Sequence, residues 1–122
     1  MPPPMTIDAF FAGNPVSRRL FDALQTCVLT TGAVDLRITR SQVAFVHRRP
    51  FAWAWMAGRW LGPGHAPLVL TVALRRRDPS PRWKEVVEPA PGRFTHHLEL
   101  HEDTDIDEEV RSWLVEAWAL AA

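Results

Sequence analysis

The stretch PFAWAWMAGRW, residues 50–60, sets Phe51, Trp53 and Trp55 in rotation with Ala52, Ala54 and Met56. A period of two marks a β-strand, where successive side chains point to opposite faces. Here neither face is polar, whereas a half-solvated antiparallel strand carries polar residues on its wet side. This strand therefore belongs inside a sheet, and both faces call for cover. Just upstream, QVAFVH (42–47) places Val43 and Phe45 on one side and Ala44 and Val46 on the other. With an even-length turn through Arg48 and Arg49, Phe45 lies across from Ala52 and Trp53 from Ala44, large against small. An odd turn gathers Phe45, Trp53 and Trp55 on one face, and the sequence leaves this register open. Large exposed apolar patches are uncommon in monomers. The favoured reading thus puts Trp53 and Trp55 in a core beneath helices, ahead of a dimer surface, a ligand surface or a base-stacking platform.

Working outward, VDLRITR (34–40), LVLTVALR (68–75) and RFTHHLELH (93–101) alternate in the same way, and KEVVE (84–88) is a weaker candidate strand. GRWLGPGHAP (58–67) and RRRDPSPRW (75–83) read as loops from their Gly and Pro content. The strands are flanked by helices. In NPVSRRLFDALQTCVLTTG (14–32), Asn14 suits the N-cap, Pro15 the first helical position and Gly32 the stop. Leu20, Leu24, Cys27 and Val28 form its apolar stripe, giving a helix at about 15–30. At the other end, Val110, Trp113, Leu114, Ala117 and Trp118 recur at i, i+3, i+4, i+7 and i+8. Thr104 or Asp105 would cap this helix, with Asp107, Glu108 and Glu109 meeting the positive end of its dipole in the first turn. IDAFFAG (7–13) reads as one helical turn ended by Gly13. The predicted organisation is a flexible leader over 1–6 and one α+β domain over 7–122. That domain has an N-terminal helix, an antiparallel meander of about five strands and a C-terminal amphipathic helix.

Composition narrows the function classes. A chain of 122 residues with 47% hydrophobic and 23% charged residues is that of a single folded domain. No apolar run approaches the ~20 residues of a membrane span, and MPPPMTID lacks the pattern of a signal peptide. The single Cys27 makes no internal disulfide and suits a cytoplasmic setting. Net charge is zero, which disfavours a dedicated nucleic-acid binder. The charge is nonetheless uneven: basic residues dominate from Ala33 to Arg93 and acidic ones from Phe94 onward.

Motifs for chemistry are scarce. Cys27 sits on an apolar helical stripe, where a thiol is ordinarily inert packing. No serine lies in a Gly-x-Ser-x-Gly frame, and no phosphate-binding glycine loop is present. On a strand, His97 and Glu99 share a face about 6.7 Å apart, while His101 lies too far for a common ion, so no metal site is expected. His96, beside Phe94 and Leu98, reads as a hydrogen-bonded residue at the core margin. The basic run Arg75, Arg76, Arg77, Arg82 and Lys84, with Trp83 interleaved, has the chemistry to hold an anion or an unstacked base. Solvated arginines pairing with Asp78 or the acidic last helix are the favoured explanation of it.

RRDPSPRWKEVVEPAPGRFTHHLEL (76–100) and DEEVRSWLVEAW (107–118) resemble a family of small bacterial proteins catalogued as a domain of unknown function. FFAGNP (10–15) with Leu20 and Phe21, and TRSQVAFVHRRPFAW (39–53), fit the same pattern, so the likeness runs from about residue 9 to 119. The family also resembles the C-terminal domain of larger bacterial proteins labelled predicted transport proteins. The resemblance implies a compact α+β fold and no established reaction, cofactor or catalytic residue. It draws attention to Arg82, Trp83, Lys84, His96 and His97.

The first functional expectation is a non-catalytic binding module for a protein partner or a small anionic ligand, with the sheet available for self-association as a homodimer. Arg75, Arg76, Arg77, Arg82 and Lys84 would supply charge, Trp83 a stacking surface, and His96, His97 and the glycine-rich loop at 58–65 further lining. The alternatives are RNA or single-stranded nucleic-acid binding through arginines and strand aromatics, and a small enzyme with His96 or His97 as general base. No cofactor is expected.

Overall fold

The computed structural model describes residues 4–62 and 64–122, apart from the side chains of Trp60 and Leu61. The first three leader residues and Pro63 of the glycine-rich loop lie outside the described residues. In chain order the elements are α1 (Ile7–Phe10), α2 (Pro15–Leu29), β1 (Asp35–Ile38), β2 (Val43–Val46), β3 (Pro50–Trp55), α3 (Gly58–Leu61), β4 (Leu68–Leu74), β5 (Glu85–Ala90), β6 (Arg93–Leu100) and α4 (Glu108–Leu120). The α+β class and the flanking helices agree with the sequence. The strand count is six, not about five, because the weak KEVVE segment extends to form β5. All neighbouring strands are antiparallel.

The sheet is not a simple meander. Its order is β1-β2-β3-β4-β6-β5, with β6 inserted between β4 and β5. The linker from 75 to 84 is long enough to pass one strand position, about 4.8 Å. A tight turn, in which Gly92 takes φ 74°, then returns the chain into the gap. Composition explains which strand goes inside. Leu98 and Leu100 of β6 are fully or nearly fully buried, whereas β5 exposes Glu85, Val87, Glu88 and Pro89, as an edge strand tolerates.

The even-turn register holds: Phe45 pairs with Ala52 and Trp53 with Ala44. The next pair, Val46 with Pro50, skips Phe51, and this bulge turns the Phe51 ring into the core, 1% exposed. Paired residues share a face, so Val43, Ala54, Leu70 and Leu98 form one row, and Phe45, Ala52, Val72 and His96 the next. This is the helix side. α4 lies on β3 and β4, and α2 on β4 beside α4. Phe21 of α2 stacks on Phe45 at 5.9 Å.

Trp53 and Trp55 therefore occupy the opposite face, which corrects their expected place under the helices. The reason is the alternation itself. Ala52 and Ala54 take the inward positions of β3 and let α4 approach closely, which sends the indoles outward. No described element covers that outer face, yet the two rings are only half-buried, and their neighbours Ala44, Val69 and Thr71 are 5%, 5% and 6% exposed. The indoles shield their own strand neighbours.

The caps also differ from expectation. Asn14 donates to the Ala12 carbonyl and makes no side-chain cap. α4 is capped by Asp107, which accepts from the Val110 amide at 3.1 Å. Thr104 and Asp105 lie instead in a short 3-10 turn, where Asp105 accepts from the His101 and Glu102 amides.

Candidate functional site

The residues singled out in the sequence divide between two sides of the sheet. On the helix side, the loop after β4 folds around Asp78, which is 9% exposed. Its carboxylate accepts from the Trp83 indole at 3.0 Å, the Ser80 amide at 3.1 Å and Arg76 at 2.8 Å. Burial raises the carboxyl, but these three donors outweigh it and hold Asp78 below the ordinary aspartate range. Arg76 also makes a two-pronged bond to Glu116 of α4. Arg82 reaches Asp107, Glu109 and the Asp105 carbonyl, fixing the loop to the start of α4. The Trp83 ring sits 4.1 Å from Trp113 and 4.8 Å from His96.

His96 is fully buried, and its Nε2 accepts from the Asp78 amide at 3.0 Å. Nδ1 must then carry the ring proton, and it has no hydrogen-bond partner among the described residues. Burial pushes this histidine's pKa down, with partial relief from the nearby Val72 and Phe94 carbonyls. Arg76, Arg82, Trp83 and His96 thus form a network that locks the loop on to the helices. Lys84 is exposed, and its amide joins β6 through the His97 carbonyl.

His97 lies on the open face. There the Trp55 indole donates to the Thr71 hydroxyl at 3.0 Å, and Thr71 lies 2.7 Å from His97 Nδ1. Burial lowers the His97 pKa, and the charge of Glu85 on β5 opposes this. Neither histidine has a carboxylate within ion-pair distance among the described residues. The chain also presents no cluster of three or more His, Cys, Asp or Glu side chains able to hold a metal ion among those residues.

Two concavities mark this face. The smaller, about 360 Å³, is lined by Gln42, Trp53, Trp55, Thr71, Thr95 and His97. The larger, about 420 Å³, wraps around the sheet end from the C-terminus of α4. Its apolar lining includes Phe51, Trp53, Ala73 and Leu120, and its cations are Arg49, Arg75 and Arg93. Trp53 and Thr95 line both, so the two form one groove across the open face.

The β4–β6 register sharpens the basic end. The last pair is Leu74 with Phe94; the chain bends at Arg75, the residue after Leu74, and Arg93 precedes Phe94, so the two arginines flank this strand end and both line the larger concavity. Like charges brought together at the end of a strand pair are destabilising. Arg49 donates to the Leu120 carbonyl, but Arg75 and Arg93 make no ion pair among the described residues, and no carboxylate lines the groove. Arg77 points elsewhere, its guanidinium 5.5 Å from the Phe94 ring centre.

Of the residues expected to bind, the groove contains Arg75 and His97. It adds Arg49, Arg93 and Thr71, which the sequence had not marked as binding residues, and Trp53 and Trp55, for which a ligand or stacking surface was the less favoured reading. That Arg75 and Arg93 line one concavity becomes visible once β6 is placed beside β4. No helix among the described residues is long and apolar enough to cross a membrane. No curated protein and no solved structure matches the chain. Residues 7–121 match the model of a family described as "Domain of unknown function (DUF5655)", and the chain belongs to that family.

Proposed function

We propose that this protein is a non-catalytic binding module whose open sheet face takes a small anionic ligand. One observation carries the reading: Arg75 and Arg93 line the same concavity, with no carboxylate in its lining, beside Trp53. An anion between them relieves the repulsion and gains two charge-assisted contacts. The adjoining indole supplies the apolar area that most small-molecule sites contain. The other basic residues support this choice indirectly, because Arg76 and Arg82 already have carboxylate partners. Histidine-based catalysis lacks a paired carboxylate at His96 or His97 among the described residues. A cytoplasmic setting suits Cys27, whose thiol pKa burial pushes up, away from reactivity.

The test is nuclear magnetic resonance of the labelled protein titrated with benzoate and with inorganic phosphate. Saturable shifts are expected at the Trp53 indole and at the Arg75 and Arg93 side chains, and these should disappear in the Arg75→Gln/Arg93→Gln double variant. Shifts centred on Arg76 or Arg82, or none at either anion up to tens of millimolar, would reject the reading.

A further inference from the structure

The two ends of the groove differ in chemistry, and this difference specifies the shape of the ligand. The Trp55 indole is only a donor, so Thr71 Oγ1 accepts from it. Thr71 keeps one proton and a second lone pair, so its 2.7 Å contact with His97 Nδ1 has two possible directions, one for each tautomer of the ring. When the Thr71 proton is directed to Nδ1, the neutral ring carries its own proton on Nε2. That Nε2 has no hydrogen-bond partner among the described residues, and it is not among the sealed-off polar atoms. In that tautomer it is a donor at the opposite end of the groove from the arginines. Burial favours the neutral ring that this arrangement requires.

Arg93, Thr95 and His97 follow one another on the same face of β6, and the four-residue step from Arg93 to His97 spans about 13 Å. Trp53 lies between the two ends and lines both. A compact ion such as phosphate satisfies only the arginines. We propose that the groove takes an elongated amphipathic acid: its acid group lies between Arg75 and Arg93, its flat apolar body on Trp53, and an acceptor at its far end on His97 Nε2–H. This rests on the reading of the open face as an anion site and adds the requirement for a second, remote polar group.

Three probes separate the two claims: benzoate, biphenyl carboxylate, and biphenyl carboxylate bearing an acetyl group at the end opposite the acid. Affinities are read from the Trp53 and Trp55 indole resonances. One added hydrogen bond predicts that the acetyl probe binds about three- to tenfold more tightly than plain biphenyl carboxylate. In His97→Leu the two biphenyl acids should bind equally. Nitrogen-15 spectra of the unaltered protein should show His97 protonated at Nε2, a readout independent of whether the variant folds. Equal affinities in the unaltered protein, a gain that survives in His97→Leu, or a proton on Nδ1 would overturn the elongated-ligand inference. In those cases, arginine-dependent binding of plain biphenyl carboxylate would leave the anion site standing. If neither biphenyl acid produces saturable shifts at Trp53, both claims fall.

Discussion

Replacing Arg93 with Gln should make the ligand-free protein more stable, although the change removes a long side chain from a folded domain. Arg93 and Arg75 flank the last β4–β6 pair and line one concavity, and neither has an ion-pair partner among the described residues. A directly opposed pair on an antiparallel sheet is worth a few tenths of a kcal/mol up to ~1 kcal/mol, which sets the upper bound here. Both arginines are exposed, so solvent screening keeps the relief near the lower end, about 0.2–0.5 kcal/mol. At about 2.1 cal/mol/K per residue, unfolding entropy for the 122-residue chain is about 0.26 kcal/mol/K, and the midpoint should rise by about 1–2 °C. Thermal unfolding followed by circular dichroism in roughly 10 mM salt, without phosphate or carboxylate buffers, resolves this with replicates. The effect should fade near 1 M salt, where the Debye length falls from about 30 Å to about 3 Å. Arg75→Gln should behave alike, and the double variant should gain less than the two singles together, because one repulsion cannot be removed twice. A variant no more stable than the parent at low salt, or a gain that survives at high salt, refutes the opposed-charge argument and with it the main support for an anion site.

Other outcomes follow from the rest of the fold. Asp78→Ala removes the acceptor of three donors and strands the nearly buried Trp83 indole N–H, costing about 2–4 kcal/mol in urea unfolding; a loss under ~1 kcal/mol would show that the loop is held by packing alone. Gly32→Ala places a Cβ 2.4 Å from the Trp118 ring at a backbone φ of +153°. It should cost more than about 2 kcal/mol and disturb the Trp118 signal in near-ultraviolet circular dichroism, whereas unaltered spectra and stability would refute the close contact. The pKa values of His96 and His97 are both lowered on folding, so the unfolded chain binds protons more readily there. Stability should be full above about pH 6.5 and decline as the pH falls below it. Asp78 and Asp107, also lowered, add a second decline below about pH 4. A urea midpoint that is flat between pH 7 and 5 would contradict the histidine assignment.

Most of the fold was legible because local patterns and packing agree. The period-two alternation in β2, β3, β4 and β6 and the apolar stripes of α2 and α4 each name an element, and the large-against-small pairing of Phe45 with Ala52 appears in the observed register. The place of β6 was not legible. Strand order depends on where a linker lets the chain return, and a linker such as that from 75 to 84 is compatible with either side of β5. The cap of α4 was misplaced for a related reason. Asp105 and Asp107 are both good N-caps in isolation, and the choice between them is made by a tertiary partner: Arg82 binds the Asp107 carboxylate and the Asp105 carbonyl together.

The candidate site was less legible than the fold, and β3 shows why. Its sequence gives two apolar faces but cannot say which one the helices take. Helices settle on the face where small residues allow close approach, here Ala52 and Ala54, and the large rings are displaced to the other side. A strand that alternates Trp with Ala beneath a helix layer therefore exports its aromatics. Once exported, Trp53 and Trp55 seal Ala44, Val69 and Thr71 from water and leave flat aromatic area on the outer face. The basic run drew attention for its charge density, yet density is a poor guide where carboxylates follow in the next helix. Arg76 and Arg82 are neutralised by Glu116, Asp107 and Glu109, while Arg75 and Arg93, eighteen residues apart, remain uncompensated. What sets Arg75 and Arg93 apart is the lack of a carboxylate partner among the described residues, a property of the folded chain that no single segment displays.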